Sequence, residues 1–223
     1  MCGRFAIAIT LKEAEKEFGI KKIHETFTPS YNIAPSQKIP IVWNGSGIIT
    51  LGTSTWGLIP HWAKEPKHGY KMINARIETL EEKHTYDKEL LEGRCLIPAS
   101  GFFEWKKTKG TKVPMYIHLK DRKVFAFAGI SSIWKAPDNK ETKTCSIITT
   151  DANTFMGKIH NRMPVILQKE AESEWIKPEY HDKKEILEII KPYPATGMNA
   201  YEVSTIVNSP INNNPQCIEK LHS

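Results

Sequence analysis

The residue with the most chemistry to offer stands second in the chain. The sequence opens Met1-Cys2-Gly3-Arg4-Phe5. A small side chain after the initiator favours trimming of Met1, so the mature protein is expected to begin at Cys2. An α-amine has a reference pKa of about 7.7–8.0, against about 10.4 for lysine, so much of it is uncharged and nucleophilic near neutrality. An amine and a thiol on adjacent carbons trap an aldehyde first as an imine and then as a five-membered thiazolidine. Taken alone, Cys2 reads first as a small residue at a frayed terminus, and the rest of the chain has to change that.

Three further stretches set polar side chains between rigid or apolar flanks: Ile73-Asn74-Ala75-Arg76-Ile77-Glu78-Thr79, Pro98-Ala99-Ser100-Gly101-Phe102-Phe103-Glu104-Trp105 and Ile159-His160-Asn161-Arg162-Met163-Pro164. On a strand, Glu104 shares a face with Phe102 and points away from Phe103 and Trp105. It is either a solvent-facing strand residue or a carboxyl desolvated by aromatics, whose raised pKa suits it to move protons near neutrality. His160 is either a loop histidine bonded to backbone or a general acid/base with a reference pKa near 6.5. Asn74 caps a turn or orients a substrate hydroxyl or phosphate. Arg4, Arg76 and Arg162 are surface arginines or phosphate forks. Aromatic and basic residues also interleave at Trp56-Gly57-Leu58-Ile59-Pro60-His61-Trp62-Ala63-Lys64 and at Trp105-Lys106-Lys107. That pattern suits core tryptophans with surface lysines, or stacking platforms beside a phosphate-tracking groove. Trp56 reads as core, and Trp62 stays open between the two.

The elements that must hold these residues are mostly short strands. A first helix is well marked: Thr10 and Glu13 form a capping box, Leu11, Ala14 and Phe18 share a face, and Gly19 stops it. Segments 39–43 and 48–51 flank Asn44-Gly45-Ser46-Gly47 as a hairpin. Segments 94–98, 102–106, 114–119, 124–130, 144–149 and 163–167 also read as strands. Helices are expected over 86–91, ending at Gly93, and over 183–190 behind an Asp182 cap. The expectation is an α+β fold: one β-rich domain over 1–223, built of antiparallel, barrel-like sheets with a few short helices. There is no alternating βαβ pattern, G-x-G-x-x-G or P-loop, so a nucleotide-cofactor fold is not expected.

Composition sets the outer bounds. A hydrophobic fraction of 40% with 25% charged residues is that of a globular protein, not a disordered one. No apolar run approaches the ~20 residues of a membrane span. Arg4, Lys12, Glu13, Glu15 and Lys16 break up any signal-peptide core, so a cytoplasmic location is expected. The four cysteines, Cys2, Cys95, Cys145 and Cys217, lie far apart without a C-x-x-C pair. The histidines show no ligand spacing, so neither a disulfide framework nor a metal is expected, and no cofactor. A net charge of +6 suits a polyanionic partner.

Read together, these stretches resemble the SRAP family of SOS response-associated, peptidase-like proteins. The motifs are Cys2-Gly3-Arg4-Phe5, Tyr31-Asn32-Ile33-Ala34-Pro35, Trp56-Gly57-Leu58-Ile59-Pro60, Asn74-Ala75-Arg76-Ile77-Glu78-Thr79, Arg94-Cys95-Leu96-Ile97-Pro98, Gly101-Phe102-Phe103-Glu104-Trp105 and His160-Asn161-Arg162-Met163-Pro164, in family order. The resemblance implies shielding of abasic sites in single-stranded DNA, with Cys2, Asn74, Glu104 and His160 catalytic. It implies DNA contacts at Arg4, Pro35, Trp62, Arg76, Trp105, Thr149 and Arg162, and nucleoid association when DNA is bound. The implied chemistry is a thiazolidine crosslink from Cys2, with attendant lyase and reversal activity. Such single-site chemistry needs only a monomer.

Two other readings compete. A cysteine-nucleophile peptidase that removes its own methionine would use Cys2 as a thiol alone. A non-catalytic single-strand binding module would rely on the basic and aromatic residues and leave no covalent bond.

Overall fold

The computed structural model describes residues 2–82, 84–108, 110–180 and 182–221. Met1, whose loss the sequence leads one to expect, lies outside them. In chain order the first strands are β1 (Phe5–Ile7), β2 (Lys22–Ile23), β3 (Ser30–Ile33), β4 (Lys38–Gly45), β5 (Ile48–Trp56) and β6 (Asn74–Arg76). Then come β7 (Arg94–Ala99), β8 (Gly101–Thr108), β9 (Thr111–Leu119), β10 (Phe125–Lys135), β11 (Glu141–Asp151), β12 (Arg162–Pro164) and β13 (Met198–Glu202). The helices are α1 (Leu11–Phe18), α2 (Ile77–Glu82), α3 (Asp87–Glu92), α4 (Lys169–Trp175) and α5 (Lys183–Ile189).

Two sheets carry the fold. One has the order β13-β9-β8-β1-β3. In the other, β12-β11-β10-β7-β4-β5-β2, a further β5–β11 pairing closes five strands into a ring. Most neighbours are antiparallel, as the alternating pattern implied. The β2–β5, β5–β11 and β6–β11 pairings are parallel, so the sheets are mixed. Ring closure accounts for the β5–β11 case, because the partner comes from the far end of the sheet rather than from a hairpin. One apolar core runs through both sheets, with Phe5 set edge-on against Trp56 (5.1 Å) and Phe127 (5.7 Å).

Local signals explain most boundaries. Thr10 and Glu13 exchange cap bonds at 3.2 and 2.7 Å, Ala14 and Phe18 are buried, and Gly19 ends α1 at φ 64°. The β4–β5 turn is held by Gly47 N–H donating to Asn44 Oδ1 (2.8 Å). Strand β5 runs on to Trp56, past the expected end at Leu51. Gly52, which breaks the apolar pattern, is there because the Trp43 ring lies across it: an added Cβ would sit 3.0 Å from that ring. Gly101 likewise leaves room for Tyr116, whose ring would lie 2.2 Å from an added Cβ.

Candidate active site

The four expected catalytic residues come from four places in the sequence and meet beside β1. Backbone pairing brings in the first two. Phe5 is in register with Phe102, and Phe103 N–H donates to the Arg4 carbonyl (2.9 Å), so the Cys2 segment runs along the β8 stretch that bears Glu104. Strand β11 brings in the others. Its residues 147–149 pair with Asn74–Arg76 on one side, and its residues 149–151 with Arg162–Pro164 on the other. The segment before Asn74 is fixed by the Trp56 indole N–H, which donates to the Ile73 carbonyl (2.8 Å). Trp56 is therefore core, as its sequence context suggests, and also positions the site.

Cys2 is fully buried, and its carbonyl accepts from Asn74 Nδ2 at 2.9 Å. The Asn74 Oδ1 atom is buried with no hydrogen-bond partner among the described residues. Burial first, and the nearby Glu104 carboxylate second, push the Cys2 thiol far above its ordinary range. A thiol so placed stays protonated in the resting protein.

Glu104 is 5% exposed, which removes the solvent-facing alternative. Burial, the largest influence on it, raises its carboxyl above the usual range. His160 follows a tight turn over Met156–Lys158, which Asn153 caps by accepting from Phe155 and Met156 N–H at 3.1 and 2.9 Å. His160 Nδ1 accepts from the Arg162 backbone N–H at 3.0 Å. Nδ1 also lies 3.2 Å from the Arg162 carbonyl oxygen, so whether it accepts or donates depends on the tautomer.

The basic residues divide into two groups. Arg76 is exposed and makes no hydrogen bond or salt bridge to a described residue. Arg162 is committed: it forks onto Glu78 at 2.6 and 3.0 Å and reaches Asp151 (2.8 Å) and the Thr149 carbonyl (3.0 Å). Arg4 bonds Asn32 Oδ1 (2.7 Å) and the Val207 carbonyl (2.6 Å), and lies 5.8 Å from the Trp105 ring centroid. Trp105 is half-buried and donates to Asn208 Oδ1 at 2.7 Å. Pro35 is half-buried where the chain leaves β3, and Trp62 is 58% exposed with its indole N–H 3.4 Å from the Thr85 carbonyl. Thr149 is wholly buried, its hydroxyl oxygen without a partner among the described residues.

Sequence reasoning missed the supporting residues. Asn32 takes Arg4 on its oxygen and spends its Nδ2 on the carbonyls of Val207, Ser209 and Asn212 at 3.2, 3.0 and 2.7 Å. Its motif was visible, but partners some 180 residues away were not. Glu78 also sat inside a recognised stretch, and only its pairing with Arg162 reveals its work. Among the described residues no group of three His, Cys, Asp or Glu side chains is placed to hold a metal ion.

Comparison with known proteins places the chain among its relatives. A family model described as SOS response associated peptidase (SRAP) matches residues 1–210. The "Abasic site processing protein YoqW" of Bacillus subtilis is 47% identical over 222 residues, covering 98% of this chain and 99% of the relative. The "Abasic site processing protein HMCES" of Xenopus tropicalis is 32% identical, covering 87% of this chain and 67% of its own length. A solved structure of a Bacteroides thetaiotaomicron protein superposes with a TM-score of 0.87 at 28% identity, covering 99% of this chain and all of that one.

Proposed function

The chain belongs to the SRAP family, and from that premise and the geometry of its site we propose that it captures abasic sites in single-stranded DNA as a thiazolidine on Cys2. The observation that carries this reading is the convergence of Cys2, Asn74, Glu104 and His160, with Asn74 gripping the Cys2 carbonyl and its own oxygen unfilled. After Met1 is removed, that oxygen is the natural acceptor for the Cys2 amine. Relatives named as abasic site processing proteins support the choice of target.

The reaction needs no co-reactant. An abasic deoxyribose is a closed hemiacetal in equilibrium with its aldehyde. His160 gives a proton to the ring oxygen as the ring opens. The uncharged Cys2 amine adds to C1′, and Glu104, whose hold on a proton burial strengthens, protonates the departing hydroxyl. One water leaves and an imine remains. The Cys2 sulfur then adds to the imine carbon while its proton passes, through the Glu104 carboxylate, to the nitrogen. The sum is aldehyde plus aminothiol giving thiazolidine plus water. An imine that is not closed can eliminate at the 3′ side and cut the strand. A single strand lacking a base enters without the cost of unpairing that a duplex must meet.

The buried, protonated thiol weighs against a peptidase nucleophile, which works as an activated thiolate. Cys2→Ala tests the two-group chemistry, because it keeps the amine and removes the sulfur. It should form little heat-stable adduct on abasic single strands, while borohydride still traps its imine. Equal heat-stable adduct from Cys2→Ala and wild type would refute ring closure by sulfur.

A further inference from the structure

Strand β8 does not end at the site. Beyond Glu104 and Trp105 it runs into a hairpin whose tip reads Lys106-Lys107-Thr108-Lys109-Gly110-Thr111-Lys112. Lys109 lies outside the described residues. Lys106, Lys107 and Lys112 are exposed, and none forms a salt bridge with a described residue. The register puts Lys107 directly opposite Lys112 and Trp105 directly opposite Pro114.

Alternation along a strand then decides what faces what. Lys107 and Lys112 share the face of Trp105, one step of about 7 Å further along. Arg4 stands over that same Trp105 ring. Positive charge therefore continues from Arg4, beside Cys2, past an aromatic surface, to a pair of lysines at the tip. Lys106 adds a charge on the Glu104 face. Like charges directly opposite on paired strands destabilise a hairpin. This hairpin sets two lysines opposite each other with no acid to relieve them among the described residues, an arrangement that a polyanion would neutralise.

We propose that the β8–β9 hairpin tip is a second DNA-contacting element, in which Lys106, Lys107 and Lys112 bind phosphates of the single strand as it runs out of the lesion pocket past Trp105. This rests on the reading of the pocket as a single-strand site and gives that strand a direction of exit. The lysines contact backbone and not bases, so they add affinity without sequence preference. They also play no part in bond formation.

The test replaces Lys106, Lys107 and Lys112 together by Gln and measures binding to an undamaged single-stranded oligonucleotide across a salt series. Each phosphate neutralised on a single strand contributes about 0.7 to the slope of log K against log salt. The slope should fall by about two, and affinity near 0.1 M salt by at least about tenfold. The triple Arg variant, which keeps the charge, should restore both. Crosslinking at saturating abasic DNA should keep its wild-type rate. An unchanged slope, or a loss that Arg does not rescue, overturns the proposal. Binding to undamaged DNA is read without any covalent step. A reduced slope alongside absent crosslinking would thus uphold the hairpin's role and sink the capture chemistry instead.

Discussion

At the scale of single residues, Glu104 and His160 are cast as proton carriers, and their environments make that role testable. Folding raises the Glu104 carboxyl by burying it. The folded state therefore holds this proton more tightly than the unfolded one. The stabilising contribution is full below the unfolded value, near 4.3, and is lost as pH climbs through the folded value. Glu104→Gln, neutral at every pH, escapes that loss, so its thermal midpoint at pH 7 should equal or exceed that of wild type. Its crosslinking rate should nevertheless drop by about 10²–10⁴-fold, the usual worth of general acid–base help. Release from a preformed crosslink should slow as well, since the same group serves the reverse path. His160→Gln should slow crosslinking comparably without losing affinity for undamaged strands. A wild-type rate in either variant, or inactivity that merely tracks unfolding, removes that residue from the mechanism.

Elements matter because the site's side chains are held from behind. Arg162 and Arg76 look alike in sequence, yet the structure gives them different surroundings. Arg76 lies open to solvent, whereas Arg162 ties β12 to Glu78 of α2 and to Asp151 of β11, two residues from His160. Arg76→Ala should weaken binding to intact and abasic strands together and reduce the salt slope by about 0.7. Arg162→Ala should instead lower the crosslinking rate more than the affinity, because His160 loses its anchored neighbour. Glu78→Gln should reproduce part of that rate loss. Equal effects of the two arginine variants on binding, with no difference in rate, would contradict the division.

A second tie lies away from the site. Arg122 bonds Glu172 (2.5 Å) of α4 and Glu17 (3.0 Å) of α1, and Lys169 joins both acids. Burial pushes the Glu172 carboxyl up, opposed chiefly by Arg122. Arg122→Ala leaves a mostly buried carboxylate with Lys169 as its remaining cation and should cost about 2 kcal/mol in denaturant unfolding at pH 7. The cost should shrink in acid, where Glu172 takes up a proton in the variant. A pH-independent cost would mean that lost packing, not the under-compensated charge, is responsible.

These elements also show what the sequence makes legible. Helix α1 was readable to the residue, because its cap, apolar face and stop are all local. Strands β7 and β10 were readable from their sustained apolar runs, but not to their ends: β10, expected over 124–130, runs Phe125–Lys135. Strands β1, β6 and β13 were not readable, since three to five residues acquire strand geometry only from a partner far along the chain. Helix α4 hides for a related reason: its buried Glu172 breaks the apolar pattern and is tolerated through Arg122 and Lys169. The site residues were legible as types within motifs. The contacts that hold the His160 ring against Arg162 and tie Asn74 to the Cys2 carbonyl exist only once β11 has brought its neighbours together.

Across the whole molecule, two sheets share one core, and β1 belongs to the sheet whose β8 strand carries both Glu104 and the lysine tip. A net charge of +6 draws a polyanion from any direction, whereas the covalent step is confined to one terminus. The two therefore separate experimentally: salt should govern encounter, and the Cys2 amine and thiol should govern permanence. The most direct test is to incubate the protein with a single-stranded oligonucleotide bearing one abasic site, then run a denaturing gel and measure intact mass. The account predicts one heat-stable adduct, with the mass of the chain from Cys2 plus the DNA less one water, mapping to Cys2 and absent with intact strands. Binding that leaves no species stable to denaturation, or an adduct that maps to another residue, would contradict it.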